Sequence, residues 1–125
     1  MAHVRNFRDL IAYQRARALS LVIHRFTRSF PREDRFELTS QMRRAVYSVS
    51  LNIAEGFGVG TTQGTLRHLR IARGSLCEVQ AAVDTAGDLE YGCPDPALLA
   101  LMDETDRVLQ ALIRSLERKR QVDPV

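Results

Sequence analysis

Apolar residues recur every three or four positions through four separate stretches of this chain. The first stretch carries Ala12, Ala16, Leu19, Ile23, Phe26 and Phe30, and the second Met42, Val46, Val49 and Ile53. The third carries Leu69, Ala72, Leu76, Val79, Val83 and Ala86, and the fourth Leu98, Met102, Thr105, Leu109, Leu112 and Leu116. Alternating steps of three and four keep a side chain on one face of a helix with 3.6 residues per turn. A seam of this kind is buried when helices lie side by side at shallow angles. No stretch shows the strict alternation of a half-buried strand. The pattern therefore specifies an all-α fold, an antiparallel up-down four-helix bundle.

The helix breakers divide the chain at matching places. Pro31 follows the first stretch, Gly56, Gly58, Gly60 and Gly64 follow the second, and Gly92, Pro94 and Pro96 follow the third. These put helices at about 9–30, 36–57, 62–91 and 95–119, within a single domain over 1–120 and a tail over 121–125 that includes Pro124. Asp9 is the expected cap of the first helix. Asp34, with Glu37 three residues on, resembles a capping box for the second, with Thr39 as a rival start. Thr61 or Thr62 opens the third, and Asp95 with Pro96 forms a cap and first-position pair for the fourth. Arg114, Arg118, Lys119 and Arg120 crowd the end of the last helix, where cations favour its dipole. The Gly56-Phe57-Gly58-Val59-Gly60 run lacks a phosphate-loop lysine and follows no strand, so it reads as a helix end and turn. The short connections make sequential helices antiparallel neighbours.

With 125 residues the chain is long enough for one core. No apolar run approaches the roughly 20 residues of a membrane span. The start, Met1-Ala2-His3-Val4-Arg5, has no apolar leader, so a cytoplasmic protein is expected. Cys77 is expected as a small core residue and Cys93 as a loop residue, both free thiols. The first and last helices also carry apolar residues off their seams: Leu10, Ile11, Tyr13, Leu21 and Val22, then Leu99, Leu101, Val108 and Ile113. Such breadth suggests a second buried surface, most simply a subunit interface.

Nothing in the sequence assembles a reaction centre. His3, His24 and His68 fall on separate segments, and no metal-binding or nucleophile motif is present. No catalytic residue, metal or cofactor is expected, and the chain reads as a non-enzyme. What stands out is charge. Seventeen of the eighteen basic residues are arginine, and residues 1–60 carry ten arginines against five acids. Arginine favours bidentate contacts to phosphate, so the basic front half suggests an acidic partner such as nucleic acid. Arg28, Arg43, Arg44, Arg67, Arg70 and Arg73 are the candidate contacts. Of these, Arg43 and Arg44 with Arg67, Arg70 and Arg73 are expected to form one patch. A second feature is the polar line Arg44, Ser48, Asn52 and Glu55 on one face of the second helix. It is expected to fix helix register or a subunit contact through hydrogen bonds. Gly74, inside the third helix, is expected where another helix approaches closely.

Several runs resemble a known family. Phe7-Arg8-Asp9-Leu10 and Tyr13-Gln14-Arg15-Ala16 are followed by Phe30-Pro31 and by Leu38-Thr39-Ser40-Gln41-Met42-Arg43-Arg44-Ala45. Ser48 precedes Asn52-Ile53-Ala54-Glu55-Gly56, and Ile71-Ala72-Arg73-Gly74-Ser75-Leu76 precedes Glu78. Together these are similar to the four-helix bundle proteins encoded in intervening sequences of bacterial ribosomal RNA genes. The accessory variability determinant proteins of diversity-generating retroelements are similar to that family. The resemblance spans residues 7 to 116. It implies a homopentameric ring with a central pore, no catalytic activity and, in the retroelement branch, contact with RNA and a reverse transcriptase. Val59 stands where the family often has a basic residue, and Thr65-Leu66 where an aromatic is common. Two functions follow as expectations: an oligomeric module that binds RNA through arginines, or a structural and protein-interaction scaffold without that role.

Overall fold

The structure, a computed structural model, describes residues 4–122; His3 and Pro124 lie outside them. Four helices account for most of the chain: α1 (Ile11–Thr27), α2 (Leu38–Gly58), α3 (Thr62–Asp88) and α4 (Pro96–Val122). No strand occurs among the described residues. Each helix packs on its neighbours in sequence, and α4 returns to close the ring against α1. Side-chain pairs run in opposite order along each seam, so neighbours are antiparallel. Ser20 meets Val46 while Arg43 meets Thr27, and Gln41 meets Glu78 while Asn52 meets His68.

The seams read from the sequence point inward. Leu19, Ile23, Met42, Val46, Val49, Ile53, Leu69, Leu76, Val79 and Leu109 are fully or almost fully buried. Thr105 is buried as well, and its hydroxyl donates to the Leu101 carbonyl at 2.7 Å, which satisfies it. Most of the surplus apolar residues belong to this same core. Ile113 is buried, and Leu10, Tyr13, Val22, Leu101 and Val108 pack partly buried against it. Only Ile11, Leu21 and Leu99 of that set remain exposed. A single broad core thus absorbs most of the surface that suggested a second interface.

The helix ends depart from expectation in instructive ways. Asp9 does not cap α1. It closes a capping box with Asn6 around a 3-10 turn at Phe7–Asp9, and α1 starts after it with no side-chain cap. The first helix stops at Thr27 rather than residue 30. The Phe30-Pro31 pair takes the chain out of it, since a residue before proline is disfavoured in α geometry. Phe30 is nonetheless buried, against Phe26 and Tyr91 at 5.2 and 5.5 Å between ring centroids. Asp34 lies in a second 3-10 turn, at Arg32–Asp34. Its buried carboxylate accepts from the Thr39 amide and hydroxyl, both at 2.9 Å, and from the Leu38 amide at 3.4 Å. It therefore caps α2 from one turn upstream, and Glu37 supplies no reciprocal bond. Thr61 and Asp95 cap α3 and α4 as read, accepting from the Gly64 and Leu98 amides. Helix α4 continues through Val122, so the tail begins later than residue 121.

Two helices end in left-handed residues. Gly60 (φ 83°) follows α2, at no steric cost. At the end of α3, Glu90 (φ 60°) takes that role. The Tyr91 amide reaches back to the Ala86 carbonyl and the Glu90 amide to Gly87, which is the Schellman pattern. This ends α3 three residues sooner than its sequence pattern suggests.

A side chain at Glu90 is strained where glycine is not. Glu90→Gly is expected to raise stability by about 0.5–1 kcal/mol in thermal denaturation. Asp34→Ala removes the cap and strands the Thr39 donors. Chemical denaturation is expected to show a loss of roughly 2 kcal/mol.

Candidate nucleic-acid interface

The polar line on α2 is the centre of the α2–α3 contact. Asn52 Nδ2 donates to the Ser48 carbonyl at 2.9 Å and to Ser48 Oγ at 3.0 Å. Ser75 on α3 donates to Ser48 Oγ at 2.8 Å. His68 on α3 lies between the other two members, with Nδ1 3.1 Å from Asn52 Oδ1 and Nε2 3.3 Å from Glu55 Oε2. Gln41 extends the line to Glu78 at 2.6 Å, and Thr65 closes it by donating to the Gly56 carbonyl at 2.7 Å. Ser48, Asn52 and Glu55 thus find their partners on α3 of the same chain. Arg44 does not join α3: it is exposed, and its one contact is with Gln41 on its own helix at 3.4 Å.

Gly56 explains how the two helices come so close. A Cβ there would sit 2.9 Å from His68 Cβ and 3.2 Å from the Thr65 carbonyl oxygen. Gly74 has open space around it and is exposed on α3, so the close approach expected there lies at Gly56 instead. Cys77, expected in the core, is exposed on the same helix.

The α2–α3 register scatters the candidate arginines. Arg70 and Arg73 turn toward α4, where Arg70 pairs with Glu117 at 2.9 Å and Arg73 with Asp106 at 3.4 Å. Arg67 is exposed near the start of α3, beside the C-terminal end of α2. Arg43 and Arg44 are near the N-terminal end of α2, and α3 runs the other way. The five residues expected to share one patch therefore do not.

Arg28 and Arg43 do come together, with two residues that seam reasoning missed. Arg28 caps the end of α1, and Arg43 faces it from α2, donating to Thr27 Oγ1 at 2.8 Å and to the His24 carbonyl at 3.4 Å. Arg32 and Arg35, from the intervening turn, line the same concavity. None of these four has an ion-pair partner among the described residues. Beside Arg35 stands Phe36, 83% exposed, with the Arg35 guanidinium carbon 5.8 Å from its ring centroid. The signal was present in the run Pro31-Arg-Glu-Asp-Arg-Phe: a large aromatic off every seam, flanked by charge.

Two side chains near this end feel its charges. His24 is held below its ordinary value by the nearby charge of Arg43, then by burial and by Arg28. The Tyr91 phenol is pushed up by partial burial and by Asp34, with smaller contributions from Glu37 and Glu33. Arg43 and Arg28 thus act on His24, and Asp34, Glu37 and Glu33 on Tyr91. Asp34 is already spent on Thr39. Among the described residues no group of three or more His, Cys, Asp or Glu side chains is poised to hold a metal. None of the described helices is long and apolar enough to cross a membrane.

The family described as 23S rRNA-intervening sequence protein matches residues 8–114, which is most of the chain. No curated protein matches it.

Gly56→Ala is expected to cost about 1–3 kcal/mol, read by chemical denaturation, because His68 and Thr65 belong to a packed helix that must shift. Arg43→Gln is expected to raise the His24 pKa in an NMR titration, since Arg43 is the main cause of its depression. The folded form resists protonation at His24. Its contribution to stability is therefore full above the unfolded value near 6.5 and falls as pH drops through it toward the depressed folded value.

Proposed function

We propose that this chain, which belongs to the 23S rRNA-intervening sequence protein family, is a non-catalytic cytoplasmic module that binds RNA through arginines. The family name ties it to ribosomal RNA and names no reaction. The observation that carries the reading is the gathering of Arg28, Arg32, Arg35 and Arg43 at the α1–α2 end without ion-pair partners among the described residues. An unpaired guanidinium group keeps its donors for phosphate oxygens. Arg70 and Arg73 spend part of theirs on α4 acids, although such half-exposed pairs contribute little and can open. Arg44 and Arg67 do not line this concavity.

Assembly as a ring of five copies belongs to the same proposal. Its support is the apolar surface left on α2 and α3: Leu51 and Ile71 are 66% and 45% exposed, and Tyr47 is exposed one turn from Leu51. The same surface favours a second reading, a protein-interaction scaffold with no RNA role.

Fluorescence polarisation with single-stranded RNA separates the two. Binding at low salt is expected, weakening as salt rises with a log–log slope of roughly −3 for four phosphate contacts. Changing Arg28, Arg32 and Arg35 together to Gln is expected to reduce that slope to about −1. Absence of binding at low salt, or binding indifferent to salt, rejects the RNA reading and leaves the scaffold. Light scattering is expected to give five times the 14.1 kDa of one chain; a strict monomer removes the ring.

A further inference from the structure

We propose that the α1–α2 end is a site for a single unstacked nucleotide of RNA, with Phe36 stacking on the base and the neighbouring arginines holding its phosphate. The inference rests on the RNA reading and adds which form of RNA is bound, and how.

Phe36 is the most exposed aromatic among the described residues. Burying a phenylalanine side chain is worth roughly 1.5–3 kcal/mol, and this one forgoes it. It does no packing work for the fold: the α2 seam runs through Met42, Val46 and Val49, and carrying it back past Leu38 leaves Phe36 pointing outward. One ring face is already near a cation, the Arg35 guanidinium. Arg35 also lines the concavity it shares with Arg28, Arg32 and Arg43. Arg35 therefore links an aromatic platform to a cluster of phosphate-binding donors. Thr27 and Thr39 complete the polar lining, but their hydroxyls are committed to Ile23, His24 and Asp34. The free donors are the guanidinium groups of Arg28, Arg32 and Arg35, with those of Arg43 that Thr27 and His24 leave open.

An exposed ring beside a basic groove is the arrangement that holds single strands. Every base has a π-face, and stacking is sequence-tolerant. A paired helix hides its base faces within its own stack and presents phosphates, 2′-hydroxyls and base edges. A loop, bulge or single strand offers base faces and phosphates together. The site thus discriminates by strandedness rather than by sequence.

The test uses the chain's lack of tryptophan. In Phe36→Trp the introduced ring is the sole indole, and its emission reports stacking directly. Quenching is expected with an unstructured oligouridylate and not with a fully paired duplex of the same length or with inorganic pyrophosphate. Phe36→Ala is expected to weaken single-strand binding about five- to a hundredfold while leaving duplex affinity and the salt slope unchanged. Its melting temperature is expected to match the parent protein, as the ring is outside the core. Changing Arg28 and Arg32 to Gln is expected to lower the salt slope without reducing quenching at saturation. Emission that does not move while RNA binds, or unchanged single-strand affinity in Phe36→Ala, overturns the stacking site and leaves the RNA reading intact. Parent protein that binds no RNA at low salt brings down both.

Discussion

The close packing of α2 on α3 governs the rest of this molecule. It needs two things at once: a residue without a side chain at Gly56, and a satisfied polar line beneath the helix pair. Gly56 lets the backbones approach until His68 Cβ and the Thr65 carbonyl fill the space. The line from Ser48 and Asn52 to Ser75, His68 and Glu55 then admits one register. A slide of one turn would leave part-buried amide and hydroxyl groups without partners, at a cost of about 1–3 kcal/mol each. Apolar seams alone specify that helices pack. Directional hydrogen bonds specify how far along they pack, and none of the described buried side-chain donors or acceptors lacks a partner.

That register decides where the charge goes. With Gln41 opposite Glu78 and Gly56 opposite Thr65, Arg67 in the first turns of α3 lies toward the C-terminal end of α2, away from Arg43 and Arg44. Arg70 and Arg73 meet the acids of α4. The arginines at the α1–α2 end share one concavity, and two of them, Arg43 and Arg28, depress His24. A net charge of +3 is modest for the whole chain. Its arrangement, one end with unpaired guanidinium groups and an exposed ring, is what supports contact with RNA.

The sequence disclosed the four helices and their inward faces because burial has a period, and the period is visible in Leu19, Ile23, Val46 and Leu109. It disclosed Thr61 and Asp95 because a helix cap is local. It misplaced Asp9 and the way Asp34 acts, since two 3-10 turns intervene, and nothing periodic marks a 3-10 turn. Arg70 and Arg73 leave the expected patch for a non-local reason: acids of α4 face them, and no local pattern on α3 marks that. Gly74 and Gly56 could not be told apart without knowing which helix face meets a neighbour. Phe36 went unremarked because a seam search rewards aromatics that fit it, whereas this one matters by not fitting.

The central claim is that Arg28, Arg32, Arg35 and Arg43 gather at one end, between α1 and α2, without ion-pair partners among the described residues, and that RNA is held there. Backbone amide NMR with a titrated single-stranded RNA tests this most directly. The account predicts shift changes concentrated between His24 and Arg43, with Arg70, Arg73 and their α4 partners unaffected. Changes centred on the first turns of α3, with the α1–α2 end silent, would contradict it.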